Sequence, residues 1–266
     1  MEAEIGIIGG SGLYSLLDEE YVRKSQFFNT AHGQHSGPAT LGEIDGKNVI
    51  FIPRHGSKHQ FPPHNIPYKA NIHLFEKFGV KRIIAPCAAG SLQPSIKPGE
   101  FVICDQFVDR THGRDDTFFH GPDVAHISSA DPYCPEMRKV AVESCKRLKI
   151  PHHEQGTCVV INGPRFSTKA ESQWFHNNGW EVINMTQYPE CVLAREKGMC
   201  YLNISLITDY DAGLEGHPEV EPVSAEDVAE IFSRNIDSVK KLIFDIVGNM
   251  PERSCECSKA LEEARL

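Results

Sequence analysis

Long apolar runs are missing from this chain. Nowhere do eighteen apolar residues stand in succession, so no segment reads as a membrane-spanning helix. The opening Met-Glu-Ala-Glu-Ile-Gly has no basic stretch ahead of its short apolar run, and without the layout of a secretory signal the chain is expected in the cytoplasm. Positive charge is scarce too: 27 Lys and Arg stand against 36 Asp and Glu, a formal net charge of −9. That balance argues against a general nucleic-acid or anionic-membrane surface and leaves room only for a local basic pocket. No internal repeat and no low-complexity linker breaks the 266 residues, so one large domain over residues 1–250 is expected, followed by a tail, 251–266, loosely attached or packed on a partner subunit.

Cysteine, by contrast, is plentiful. Nine are present, scattered through the sequence except for Cys255-Glu-Cys257. Scatter of this kind argues against a four-ligand zinc site, and no metal is expected; the lone Cys-x-Cys reads as a redox pair, half a metal site or a pair of surface thiols.

Apolar, β-rich runs recur at 5–8, 49–52, 82–86, 101–104, 157–161, 181–185 and 201–208. Helical spacing falls between several of them, over 68–78, 135–148, 169–176 and 189–197, with Thr168 and Glu171 forming a capping box. Ser224 reads as the N-cap of a last long helix reaching about Val247. The alternation predicts an α/β fold with a mixed, largely parallel sheet flanked by helices.

Several of these strands end in groups suited to a ligand. The last, Tyr201 to Asp211, is apolar until it stops at Asp209 and Asp211; in open α/β sheets ligands lie beyond the carboxyl ends of strands, so the pair either faces a substrate or merely caps the next element. The first, Ile5-Gly-Ile-Ile-Gly-Gly-Ser-Gly12, runs into a glycine-rich turn where Ser11 offers a hydroxyl. It is a phosphate loop or a plain tight turn, and it lacks both the third glycine of a dinucleotide fingerprint and a Walker Gly-Lys-Ser/Thr. Arg54 and His55 follow the second strand and suit a phosphate oxyanion, Arg by its planar fork and His by an added donor. Metal binding by His55, His59 and His64 is disfavoured because Pro62-Pro63 interrupts any helix that would align them. Cys87-Ala-Ala-Gly-Ser91 permits close backbone approach, while Phe166, Met185 and Thr186 sit beside further turns.

The set resembles the trimeric purine nucleoside phosphorylases and, within them, the methylthioadenosine phosphorylase branch. The resemblance runs from Ile7-Ile-Gly-Gly-Ser-Gly-Leu-Tyr14 through Arg54-His-Gly56, Tyr68-Lys-Ala-Asn-Ile72, Asp105 to Thr111, Gly163-Pro-Arg-Phe-Ser-Thr168, Ala170-Glu-Ser172 and Asn184-Met-Thr186 to Thr208-Asp-Tyr-Asp211. It implies a single domain around a distorted, barrel-like sheet, a trimer or dimer of trimers, no metal or organic cofactor, and phosphate as co-substrate. By the resemblance, Ser11, Arg54, His55, Thr186 and the backbone near Cys87 and Ala88 hold phosphate. Met185 lies beneath the ribose, Asp209 and Asp211 face the purine, and Phe166 stacks near the base. His59, Val228 and His126 of a neighbouring subunit line the pocket for the 5′ group. A Cys134–Cys200 disulfide is implied as well, with a C-terminal Cys-x-Cys.

The chain departs from the resemblance at Cys87, where relatives commonly place Thr or Asn, at Asn162, at Lys69, and at Ala212-Gly213 with the loop after it. The expected reaction is phosphorolysis of S-methyl-5′-thioadenosine to adenine and 5-methylthioribose 1-phosphate. A broader or 6-oxopurine phosphorylase acting on inosine, guanosine or methylthioinosine is the nearer alternative, and a noncatalytic nucleoside-binding protein the more distant one.

Overall fold

The computed structural model describes the chain apart from residues 1, 11, 14–15, 18–20, 221–224, 263 and 265–266, with backbone alone over 225–234. Its centre is built from β1 (Ile5–Gly9), β6 (Lys47–Pro53), β7 (Arg82–Ser91) and β13 (Cys200–Tyr210). β1 is buried along its whole length, and both faces of such a strand must be apolar, which is why it reads as a continuous run rather than an alternation. Around the centre lie β2 (Val22–Gln26), β5 (Ala39–Ile44), β8 (Phe101–Val102), β9 (Gln106–Arg110), β10 (His152–His153), β11 (Thr157–Ile161) and β12 (Val182–Asn184). They form one mixed sheet in the order β10-β8-β13-β7-β1-β6-β5-β2, with β12, β11 and β9 branching from β7; β3 (Asn29–Thr30) and β4 (Gly33–Gln34) pair separately.

Two apolar layers cover this sheet. One gathers Ile72, Leu74 and Phe75 of α1 (Tyr68–Lys77) with Cys191, Leu193 and Ala194 of α4 (Gln187–Glu196); the other gathers Met137 and Ala141 of α2 (Pro135–Leu148) with Val239, Leu242 and Ile243 of α5 (Ala225–Gly248). β7 serves both, Ile83 and Ala85 pointing into the first and Ile84 into the second, as the two-residue period of a strand requires. A fifth helix, α3 (Lys169–Asn177), opens with the expected capping box: Thr168 accepts from the Glu171 amide while the Glu171 carboxylate accepts from the Thr168 amide.

The sheet forks along β7. Arg82 to Ile84 pair in parallel with β1, whereas Gly90 and Ser91 pair antiparallel with β12. Between these points β7 has lost one neighbour and not yet gained the next, so a crevice opens beside Cys87, Ala88 and Ala89. This divergence is the distortion that the resemblance implied.

Three expectations change. β2, β5, β9, β10 and the β3–β4 pair had no strand reading; β5 is joined to β6 by Asp45-Gly46, both at positive φ (47° and 77°), and such an Asp-Gly pair is the hairpin signal that could have found it. The run at 101–104 yields only the short β8. The tail is not loose: Cys257 is buried in the second apolar layer, Arg253 donates to the Gly198 carbonyl at 2.7 Å, and the Ser254 hydroxyl donates to Glu136 at 2.6 Å. The predicted N-cap Ser224 lies outside the described residues.

The cysteine expectations also change. No Cys134–Cys200 disulfide is formed; both are free thiols, and Cys200 Sγ lies 3.2 Å from Cys255 Sγ. The fold collects Cys134, Cys200, Cys255 and Cys257 with all four sulfurs within 4.8 Å of one another. Separation in sequence was therefore a poor reason to dismiss a four-ligand site, because α2, β13 and the tail converge.

Candidate active site

The crevice at the fork holds a cavity of about 400 Å³ lined by residues of β7, β11, β12 and β13 and by the turns that follow β1 and β6. Arg54, His55, His59, Cys87, Ala88, Phe166, Met185, Thr186, Asp209 and Asp211 all reach it. Three other candidates remain. Ser11 and the Val228 side chain lie outside the described residues. His126 is exposed, donates its backbone N–H to the Ala264 carbonyl and does not line this chain's cavity.

At one end sits Arg54, 1% exposed. Its Nε and Nη2 donate to the two carboxylate oxygens of Glu190, each at 2.8 Å, and Nη1 donates to the Pro86 carbonyl at 2.9 Å. Tyr201 donates its hydroxyl to Glu190 at 2.7 Å. Burial alone would lower the Arg54 pKa; the Glu190 carboxylate more than offsets that, so the guanidinium stays charged. Gly10 is tight here, since a Cβ on it would stand 3.0 Å from the Pro86 oxygen and 3.1 Å from Arg54 Nη1. Glycine thus brings the turn after β1 against the cation.

His55 is the neighbour of that charge. Its Nδ1–H donates to the Phe61 carbonyl at 2.9 Å, and its ring stacks on His59 with centroids 4.5 Å apart. Desolvation chiefly, then the charges of Arg54 and His59, push its pKa down to about 4 against the Phe61 hydrogen bond, so the ring is neutral near pH 7. The expected added donor is therefore corrected: with Nδ1–H committed to Phe61, Nε2 of the neutral ring is an acceptor, suited to the hydroxyl of monohydrogen phosphate. Cys87 is buried, with Asn184 Nδ2 and Asn203 Nδ2 aimed at its sulfur from 3.1 and 3.3 Å; desolvation first of all pushes the thiol up to about 11, and it stays protonated.

The acids lie farther along the same strand. β13 runs in parallel register with β7 until Ile207 pairs Ala89, then skips Thr208 so that Asp209 pairs Gly90. A bulge of this kind re-aims the side chains after it. Both acids close over Gly90: a Cβ there would lie in ordinary contact with Asp209 Oδ2 at 3.5 Å and the Asp211 Cβ at 3.6 Å, and tight against Ile183 Cγ2 at 3.1 Å. Thr208 donates its hydroxyl to Asp209 at 2.6 Å, and Ser167 donates its own to Asp211. Desolvation raises the Asp209 pKa; the Thr208 hydrogen bond opposes this, and the nearby Asp211 adds to the rise. Three residues of strand separate Gly90 from Cys87, about 10 Å, so one elongated ligand could touch both ends.

Sequence reasoning missed Glu190, Asn184 and Gly90 as parts of the site. Glu190 carries no local signal: it is one acid on an apolar helix face. Asn184 did stand in a quoted motif, and its Oδ1 accepts from the Thr186 amide at 3.3 Å, holding the turn into α4.

The arrangement joins a buried cation, a neutral imidazole, small residues that expose backbone, and a carboxyl biased toward its neutral form. Such a site can bind an oxyanion against one face of a substrate and protonate a leaving group at the other. The comparisons agree with that chemistry. The profile of the phosphorylase superfamily matches residues 4–247. The S-methyl-5′-thioadenosine phosphorylase of Thermofilum pendens is 48% identical over 264 residues, covering 99% of this chain and 98% of its own. The purine nucleoside phosphorylase of Streptomyces coelicolor is 43% identical, covering 98% and 95%. A crystal structure of a methylthioadenosine phosphorylase from an antarctic soil metagenomic library superposes with a TM-score of 0.92 at 37% identity, over 100% of this chain and 93% of that one. On fold, site and sequence together, the chain belongs to the phosphorylase superfamily.

Proposed function

We propose that this enzyme phosphorolyses S-methyl-5′-thioadenosine to adenine and 5-methylthioribose 1-phosphate, with inorganic phosphate as co-substrate and no organic cofactor. The observation that carries the reading is one cavity with charged Arg54 near one end and Asp209, whose pKa burial raises, about three strand residues away. Phosphate binds beside Arg54, His55, Thr186 and the backbone of Cys87 and Ala88, joined by Ser11. Met185 underlies the ribose, and Phe166 covers the base.

A phosphate oxygen forms the bond to C1′ as the bond from C1′ to N9 breaks. The bonding electrons pass to the purine, whose N7 takes the Asp209 proton, while Asp211, steadied by Ser167, receives the 6-amino group. Positive charge builds on the ribose and negative charge on the base, so the phosphate stabilises one and the acid the other. His59, Val228 and His126 of a neighbouring subunit surround the 5′ group, in a homotrimer or a dimer of trimers. Exposure supports that assembly: Phe166 is 76% exposed in the single chain, although it borders the cavity.

The test is phosphate-dependent release of free base from methylthioadenosine, adenosine, inosine and guanosine, compared by kcat/KM in one buffer. Preference for methylthioadenosine is expected. Preference for inosine or guanosine overturns the substrate while keeping the phosphate site. Nucleoside binding indifferent to phosphate, with no base released, overturns the reaction.

A further inference from the structure

The four cysteines that converge at the far end of β13 are not used by the reaction. Cys200 begins that strand and Asp209 lies near its other end, nine residues away and therefore about 30 Å along an extended chain. Cys134 stands at the N-cap of the 14-residue helix α2, with no capping hydrogen bond from its side chain. Cys255 precedes the short helical turn Glu256–Lys259, which carries Cys257 inward. Cys134, Cys200 and Cys257 are buried and Cys255 half-buried, so the cluster is enclosed and approachable from one side.

From this geometry we infer that Cys134, Cys200, Cys255 and Cys257 form a tetrathiolate site for a single thiophilic divalent cation of the zinc class. Four sulfurs at about 2.3 Å from a tetrahedral zinc stand about 3.8 Å apart. Here all four lie within 4.8 Å of one another, and one pair at 3.2 Å, so small adjustments of the χ1 angles complete the shell. A second observation points to charge at the same place. The guanidinium of Arg253 interacts with Cys200, Cys255 and Cys257, and its Nε is buried without an acceptor. Four thiolates around a divalent cation leave a net charge of −2, and a buried guanidinium beside it supplies both a counter-charge and a donor to sulfur. The N-terminus of α2 adds its positive end at Cys134.

Binding takes the thiolate form of each cysteine, releases whatever protons the thiols still hold, and involves no change of oxidation state. The metal has a structural role: it ties the tail to α2 and β13 where the Ser254–Glu136 and Arg253–Gly198 hydrogen bonds already hold it. Removal of the metal is expected to lower Tm and leave base-release kinetics of the folded enzyme unchanged.

The full chain, reduced with a phosphine under anaerobic conditions and desalted, is titrated with Co²⁺ and then displaced with Zn²⁺. The expected result is one metal per chain, near-ultraviolet sulfur-to-cobalt charge transfer lost on adding Zn²⁺, and four thiols shielded from alkylation by the bound zinc. Cys257→Ser should abolish the charge transfer and Cys145→Ser should retain it. Because the unsubstituted chain carries the primary readout, a poorly folded variant does not blunt the test. Less than a tenth of a metal per chain overturns the site, whether the four sulfurs are found as Cys134–Cys200 and Cys255–Cys257 disulfides or as open thiols.

Discussion

Burial does to Asp209 what the proposed reaction needs, and it does so with a definite sign. Desolvation raises the Asp209 pKa above the usual carboxylate range, so the donating form persists to higher pH than in a free carboxyl and is lost as pH rises through the raised value. Turnover should therefore fall on the alkaline side, and Asp209→Asn should remove that limb. The same substitution should cut kcat by about 10²–10⁴, the usual worth of general-acid catalysis, while leaving the KM for phosphate near its starting value; unchanged kcat would take Asp209 out of the mechanism. Stability follows the same direction. The folded chain keeps this proton to higher pH than the unfolded chain, so the contribution is complete at low pH and fades as pH rises. Glu190 is the residue whose role was least visible. It grips Arg54 in a two-point ion pair at 0% exposure, and losing one partner of such a buried pair costs about 3–5 kcal/mol. Glu190→Gln should raise the KM for phosphate at least tenfold with a smaller change in kcat at saturating phosphate. An equal fall in kcat with KM unchanged would mean that Glu190 does not act through Arg54.

At the scale of elements, the pairing of β7 with β13 sets the acids. The register skip at Thr208 brings Asp209 opposite Gly90. Gly90→Ala would place its Cβ 3.1 Å from Ile183 Cγ2, which must give way, and in van der Waals contact with Asp209 Oδ2 and the Asp211 Cβ at 3.5 and 3.6 Å. It should depress activity far more than it lowers Tm, checked by steady-state rates beside a thermal melt. The capping box of α3 is separable from chemistry in the other direction. Thr168→Ala should lower stability by about 1 kcal/mol, measured by denaturant unfolding, with a modest effect on turnover: no residue of α3 lines the cavity, and its Ser172 hydroxyl accepts from the Gly213 amide at 2.8 Å, in the turn after Asp211. These elements were largely legible. Periodicity located β1, β6, β7 and β13, because buried strands are apolar end to end. It overlooked β5, largely buried but interrupted by Thr40, Gly42 and Glu43, and β2, β9 and β10, which are half-buried or exposed.

At the scale of the whole molecule, the apolar layers on the two faces of the sheet make a single chain that holds most of the proposed site, while His126 stays outside it. Sedimentation should give a particle of three or six 29.7 kDa chains. His126→Ala should raise the KM for nucleoside and leave that for phosphate unchanged. A fully active monomer would remove the neighbour from the site. Among the described residues no helix is long and apolar enough to cross a membrane.

The sequence by itself determined the α/β class, the strand ends that bear Arg54, His55, Asp209 and Asp211, and the resemblance that named a phosphorylase. Those features are local: burial writes apolar runs, strand ends carry the polar exceptions, and the motifs are contiguous. The tertiary structure alone decided that β7 forks beside Cys87, that Glu190 closes on Arg54 across 136 residues, that His55 spends its proton on Phe61, and that four scattered cysteines meet. Each of these depends on which distant segments pack together, and neither spacing nor composition encodes that distance.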